Sequence, residues 1–163
     1  METLWSMSTT VREAERILGF LQTAALLDGK HWDKDCQCKF QILLIQNHEY
    51  LKDTENALVR KKLDKDQIAA LAAWDKEMSY DMAESIFKAK KYKDPAMRGR
   101  QSMSPLVKLG LVYHENKIIH ISNLGRKLLN REITFEEMML DALLKYQYPN
   151  PTDTGFSSWN TKP

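Results

Sequence analysis

At 163 residues the chain can bury one compact core. Its 24 Lys and Arg against 22 Asp and Glu leave a formal net charge of +2, so bulk charge does not point to nucleic acid and any such surface must be local. No apolar run approaches the roughly 18 residues that span a bilayer, and Cys36 and Cys38, too closely spaced on a predicted helix to bridge, suit a reducing, cytoplasmic setting.

In chain order, residues 4–10 (LWSMSTT) are polar apart from Leu4, Trp5 and Met7. Thr10 and Glu13 form a capping box. Ile17, Leu18, Leu21, Ala24 and Ala25 then predict a helix from about Val11 to Leu27, stopped by Asp28-Gly29. Asp33 caps a second helix over 34–46, with Phe40, Leu43 and Leu44 on its apolar side. Residues 47–62 read as loop plus an ill-defined helical piece. Asp64 and Gln67 cap an alanine-rich helix ending near Glu77, and Ser79 caps a helix carrying Met82, Ala83, Ile86 and Phe87.

Asp94-Pro95 is an N-cap followed by proline at the first helical position. The helix it opens is expected to reach Leu109, stopped by Gly110, with a kink or break near Ser104 because Pro105 removes an amide donor. Leu111–Tyr113 and Ile118–Ile121 read as a hairpin around His114-Glu115-Asn116-Lys117. Ser122 caps a short helix, and Thr134 with Glu137 caps another containing Met138, Met139, Leu143 and Leu144. Beyond Tyr148 the composition turns to Pro, Gly, Asn, Thr and Ser. The expected division is a domain over 1–148 and a loop or linker over 149–163, leading toward a downstream region.

The expected fold is mainly α: a winged helix-turn-helix formed by the Ser79 and Asp94 helices and one hairpin wing, with additional N- and C-terminal helices. Between Lys88 and Lys108 lie seven basic residues (Lys88, Lys90, Lys91, Lys93, Arg98, Arg100 and Lys108) against one acid, Asp94. Arg98 and Arg100 fall in the first turns of the second helix, where a recognition helix meets base edges. Their planar forks suit guanine. Gln101, Ser102 and Ser104 are candidate base or phosphate contacts. The lysines, Lys91, Lys93 and Lys108 among them, would neutralise phosphates without reading sequence. Lys117 at the hairpin tip is a candidate backbone contact. A solvated charged face is the competing reading, and the hairpin after the basic helix is what favours DNA.

Other chemistry finds little support. Glu115-Asn116-Lys117 matches half of a metal-dependent nuclease signature, but on a hairpin turn without partner carboxylates. The four histidines are scattered, and Cys36-Gln37-Cys38 lacks zinc-ligand spacing and a second half. No phosphate-cradling glycine loop or nucleophile elbow is present.

Five segments, LWSMSTTVREAERILGFL, LLDGKHW, RGRQSMSPLVKLGLV, ISNLGRKLL and LLKYQYPNP, resemble in order the motifs of AlwI-like type IIS restriction endonucleases and their nicking relatives. The similarity is poorer from about Lys52 to Glu77. It implies an N-terminal recognition region of winged-helix subdomains, joined by a linker to a Mg2+-dependent carboxylate nuclease, in a bacterial cytoplasmic enzyme. By the same resemblance this chain is the first recognition subdomain: probing a short asymmetric site on double-stranded DNA, monomeric, without a cofactor or catalysis of its own. Ser6, Ser8, Thr9, Thr10 and Arg12 resemble a DNA-contacting arm, and Arg98, Arg100, Gln101 and Ser104 the recognition-helix positions. A stand-alone winged-helix regulator, and a winged helix used only for protein contact, are the alternatives.

Overall fold

The computed structural model describes residues 14–145. The expected arm at Ser6, Ser8, Thr9, Thr10 and Arg12, the Thr10–Glu13 capping box and the expected linker over 149–163 lie outside them. Among the described residues the chain is mainly helical: α1 (Ala14–Ala25), α2 (Lys34–Gln46), α3 (Ala57–Arg60), α4 (Lys65–Ala72), α5 (Tyr80–Ala89), α6 (Pro95–Lys108), α7 (Asn123–Leu129) and α8 (Phe135–Lys145). A two-stranded antiparallel ribbon, β1 (Val112–Glu115) and β2 (Ile118–Ile121), lies between α6 and α7.

Most helix starts follow from local chemistry. Asp33, Asp64, Ser79, Asp94 and Ser122 each accept a hydrogen bond from an amide in the first turn of the following helix. Asp64 with Gln67 and Thr134 with Glu137 close reciprocal capping boxes. The ill-defined piece within 47–62 is the single turn of α3. The helix expected to end near Glu77 stops at Ala72, and Trp74 beyond it is 79% exposed.

The expected break at Pro105 does not occur, and α6 continues to Lys108. Proline forfeits one hydrogen bond, to the carbonyl of Gln101. Gln101 lies on the exposed side, where water can take that carbonyl. Pro105 and Leu106 are buried, so packing holds the last turn.

The ribbon pairs Val112 with Ile121 and Glu115 with Ile118, leaving Asn116-Lys117 as a two-residue loop with φ of 50° and 63°. Positive φ at both positions suits a right-twisted hairpin. The turn is thus tighter than expected, with His114 and Glu115 inside the strand. Residues 29–32 run along the other edge of β2, bridging it at His31 and Ile118. The Gly29 amide donates to the Ile119 carbonyl (2.8 Å), the Ile119 amide to Lys30 (3.0 Å) and the Trp32 amide to Lys117 (2.6 Å). Asp28 anchors the base, accepting from the Ile121 amide (3.1 Å) and the Arg126 guanidinium (2.7 Å).

Two apolar clusters form. The larger joins α1, α2, α6, the ribbon, α7 and α8 through Phe20, Leu21, Phe40, Leu44, Met103, Leu106, Leu111, Ile119 and Met138. The smaller joins α2 to α4 and α5 through Ile42, Ile45, Leu71, Ala83, Ile86 and Phe87. Helix α2 serves both. The helix that α6 packs along is therefore α2, then α1, and not the adjacent α5 that the sequence reading paired with it. At the α2–α6 crossing stands Gly99, where a Cβ would overlap the Gln37 carbonyl.

Candidate nucleic-acid interface

Residues at intervals of three and four define the outer face of α6. Ala96, Gly99, Met103 and Leu106 turn inward, while Met97, Arg100, Gln101, Ser104 and Lys108 form the outward stripe, the last two half-buried. Arg98 sits off the stripe. Its guanidinium lies over the Tyr92 ring at 4.9 Å, and its Nη1 donates to Gln101 Oε1 at 3.1 Å. Tyr92 packs on Phe87, and burial, followed by the neighbouring Tyr50, pushes its phenol pKa up.

Arg100 is held from two directions. Its Nη1 donates to Gln37 Oε1 and its Nη2 to Asp94 Oδ2, each at 2.8 Å. The Asp94 carboxyl is held below its ordinary value, chiefly by the Met97 amide it caps and then by Arg100, against the pull of desolvation. Gln37 donates in turn through Nε2 to the Trp32 carbonyl at 3.1 Å, and the Trp32 amide bonds to Lys117 at the ribbon turn. A continuous hydrogen-bonded path thus runs from the hairpin tip to the outer face of α6. Gln37 carries no sequence signal for this role, because its partners lie 5 and 63 positions away.

Between α6 and the ribbon lies a shallow groove of about 220 Å³, walled by Trp32, Arg100, Ser104, Val107, Lys108 and His114. Trp32 lies against the His114 ring at 5.4 Å and edge-on to Phe40 at 6.0 Å. Desolvation, then the neighbouring His120, pushes the His114 pKa down, so this ring is neutral at neutral pH.

Of the residues predicted to contact DNA, Arg100, Gln101, Ser104 and Lys108 share one face, with Arg98 at its flank. Lys91 and Lys93 are exposed on the link between α5 and α6, and Lys117 is exposed at the turn. Ser102 is different. It is 2% exposed and donates to Gln41 Oε1 of α2 at 2.8 Å, so it belongs to the helix–helix seam and not to the outer face. Two further lysines of the cluster are engaged within the protein. Lys88 pairs with Glu84 at 2.7 Å, and Lys90 directs its ammonium at the carbonyls of Leu58, Val59 and Lys61.

A Mg2+ nuclease needs several carboxylates or imidazoles converging on one point. Among the described residues no three His, Cys, Asp or Glu side chains do so. The described residues do not fit such a site. Nor is any described helix long and apolar enough to cross a membrane.

The family model described as AlwI restriction endonuclease matches residues 107–163. No curated protein and no solved structure matches. The match begins at the last turn of α6, takes in the ribbon, α7 and α8, and runs past the described residues. It supports kinship with an AlwI-like restriction enzyme through the hairpin and the C-terminal helices, and of α6 it reaches only Val107 and Lys108.

Proposed function

We propose that this chain recognises double-stranded DNA for an AlwI-like type IIS restriction enzyme, with α6 in the major groove and the β1–β2 ribbon as a wing. The observation that carries this reading is the outward stripe of α6, Arg100, Gln101, Ser104 and Lys108, set beside the two-stranded β1–β2 ribbon. Under this proposal α1, the segment 29–32 (bridged to β2), α2, α6 and the ribbon take the order of a winged helix, with α3–α5 inserted between its second and third helices. In this reading α2, not α5, is the first helix of the helix-turn-helix.

Arg100 reads a base edge, exchanging Asp94 for guanine acceptors while Gln37 keeps its fork oriented. Arg98, braced on Tyr92, orients Gln101. Lys91, Lys93 and Lys117 meet phosphates, which fix register without reading sequence. Ser8, Thr9, Thr10 and Arg12 are proposed as an arm on the same duplex. The target is short and asymmetric, the protein binds it as a monomer, and the magnesium-dependent nuclease belongs to another part of the parent enzyme.

The test is selection of bound duplexes from a random pool. An asymmetric consensus is expected, and failure to enrich any sequence would refute base reading by α6. A second reading, a dimeric winged-helix regulator, is favoured by one observation. Leu140, Leu143 and Leu144 on α8 are 61%, 47% and 78% exposed, a potential dimer face. A palindromic consensus would select it.

A further inference from the structure

The basic surface does not end with α6. Arg60, Lys61 and Lys62 close α3, in the stretch that the sequence reading left ill-defined, yet the fold brings them to the link that enters α6. Two lysines make the junction. Lys90 Nζ donates to the carbonyls of Leu58 (2.8 Å), Val59 (3.0 Å) and Lys61 (3.2 Å), capping the end of α3 from a distance. Lys62 Nζ returns a bond to the Lys90 carbonyl at 2.9 Å. Beyond Lys90 follow Lys91, then Tyr92 on which Arg98 rests, then Lys93 and the Asp94 cap of α6.

Arg60, Lys61, Lys62, Lys91 and Lys93 are all exposed, and among the described residues none forms an ion pair. Two acids flanking the link are paired elsewhere, Glu84 with Lys88 and Asp94 with Arg100, and Asp64 caps α4 through the Gln67 amide. Gathering like charges without counter-charges costs free energy in the isolated protein. Burial, followed by Lys62 and Lys61, pushes the Lys90 pKa down. A dense row of anions offsets that cost, and a duplex backbone supplies one with little demand on sequence.

We infer that Arg60, Lys61 and Lys62, latched to the α5–α6 link, form with Lys91 and Lys93 a phosphate-binding surface that grips the duplex backbone beside the segment facing α6. This rests on the DNA reading of α6 and extends it to the α3–α5 insertion. The partner is the DNA backbone, and the surface adds affinity and not base preference.

The experiment is a salt titration of binding by the full chain, using a mixed-sequence duplex long enough to reach past α6. The double variant R60E/K61E spares Lys62 and its latch. Each lost phosphate contact lowers the slope of log affinity against log salt by about 0.9, so a reduction of about 2 is expected. The loss should be equal on unrelated sequences, with circular dichroism unchanged, and R60K/K61R should restore the parental slope. If the parent binds and R60E/K61E keeps its slope, this surface is refuted while the reading of α6 stands. A loss confined to some sequences also refutes it, by contradicting a backbone role. A parent that binds no duplex refutes both.

Discussion

The two sides of α2 are built differently. Toward α4 and α5 it presents Ile42 and Ile45 to a cluster of seven buried apolar residues, and the seam is apolar. Toward α6 it presents Phe40 and Leu44 to a cluster of seventeen, but also buries Gln37 and Gln41, which bond to Arg100 and Ser102. Apolar contact is non-directional and tolerates sliding. Buried amides leave polar groups unpaired if the helices slip, which costs about 1–3 kcal/mol for each group. The first seam attaches an appendage. The second sets the register of α6, and with it the direction in which the outer stripe faces.

The largest effect should separate the two clusters. Phe40→Ala empties the larger core and should cost about 3–5 kcal/mol, read as one cooperative loss in urea. Ile86→Ala should cost about 2–4 kcal/mol, and hydrogen exchange should locate the loss in α4 and α5. Equal acceleration of the ribbon amides in Ile86→Ala would show one cooperative unit and break the comparison.

Next is Gly99→Ala, which forces α6 away from the Gln37 backbone. A loss of about 1–3 kcal/mol is expected, together with weaker DNA binding as the stripe turns. An unchanged urea midpoint would mean that the helices do not meet so closely. Gln37→Ala should cost about 1–2 kcal/mol and loosen sequence preference more than total affinity, because Arg100 keeps its charge and loses a guide. A uniform loss across sequences would instead make Gln37 a packing residue.

The smallest effect is the acid limb. Asp94 has a depressed carboxyl pKa in the folded state, so its contribution is present above the unfolded value near 3.8 and lost as pH falls through the folded one. Asp94→Asn keeps a capping side chain but should flatten stability below that pH, as read by urea midpoints. The same variant leaves Arg100 without its acid partner and should tighten binding to mixed-sequence duplex. Weaker binding would show that the pairing serves recognition.

Local chemistry made the helix starts legible. Asp33, Asp64, Ser79, Asp94, Ser122 and Thr134 each satisfy an amide three residues ahead, so chain composition decides them. The hairpin was readable for the same reason, although its turn is confined to Asn116-Lys117. The basic cluster was visible as composition, and Arg60-Lys61-Lys62 was equally visible as a run, but nothing nearby said where it would lie.

The amino-acid sequence by itself determined most of the elements and their order, because capping bonds and turns close within a few residues. Only the tertiary structure decided that α6 packs on α2 and not on its neighbour α5, that Ser102 is buried while Arg100 faces out, and that Lys90 is spent on α3. Those contacts join residues 29 to 63 positions apart. They depend on which apolar faces can be buried together, and no local segment encodes that alone.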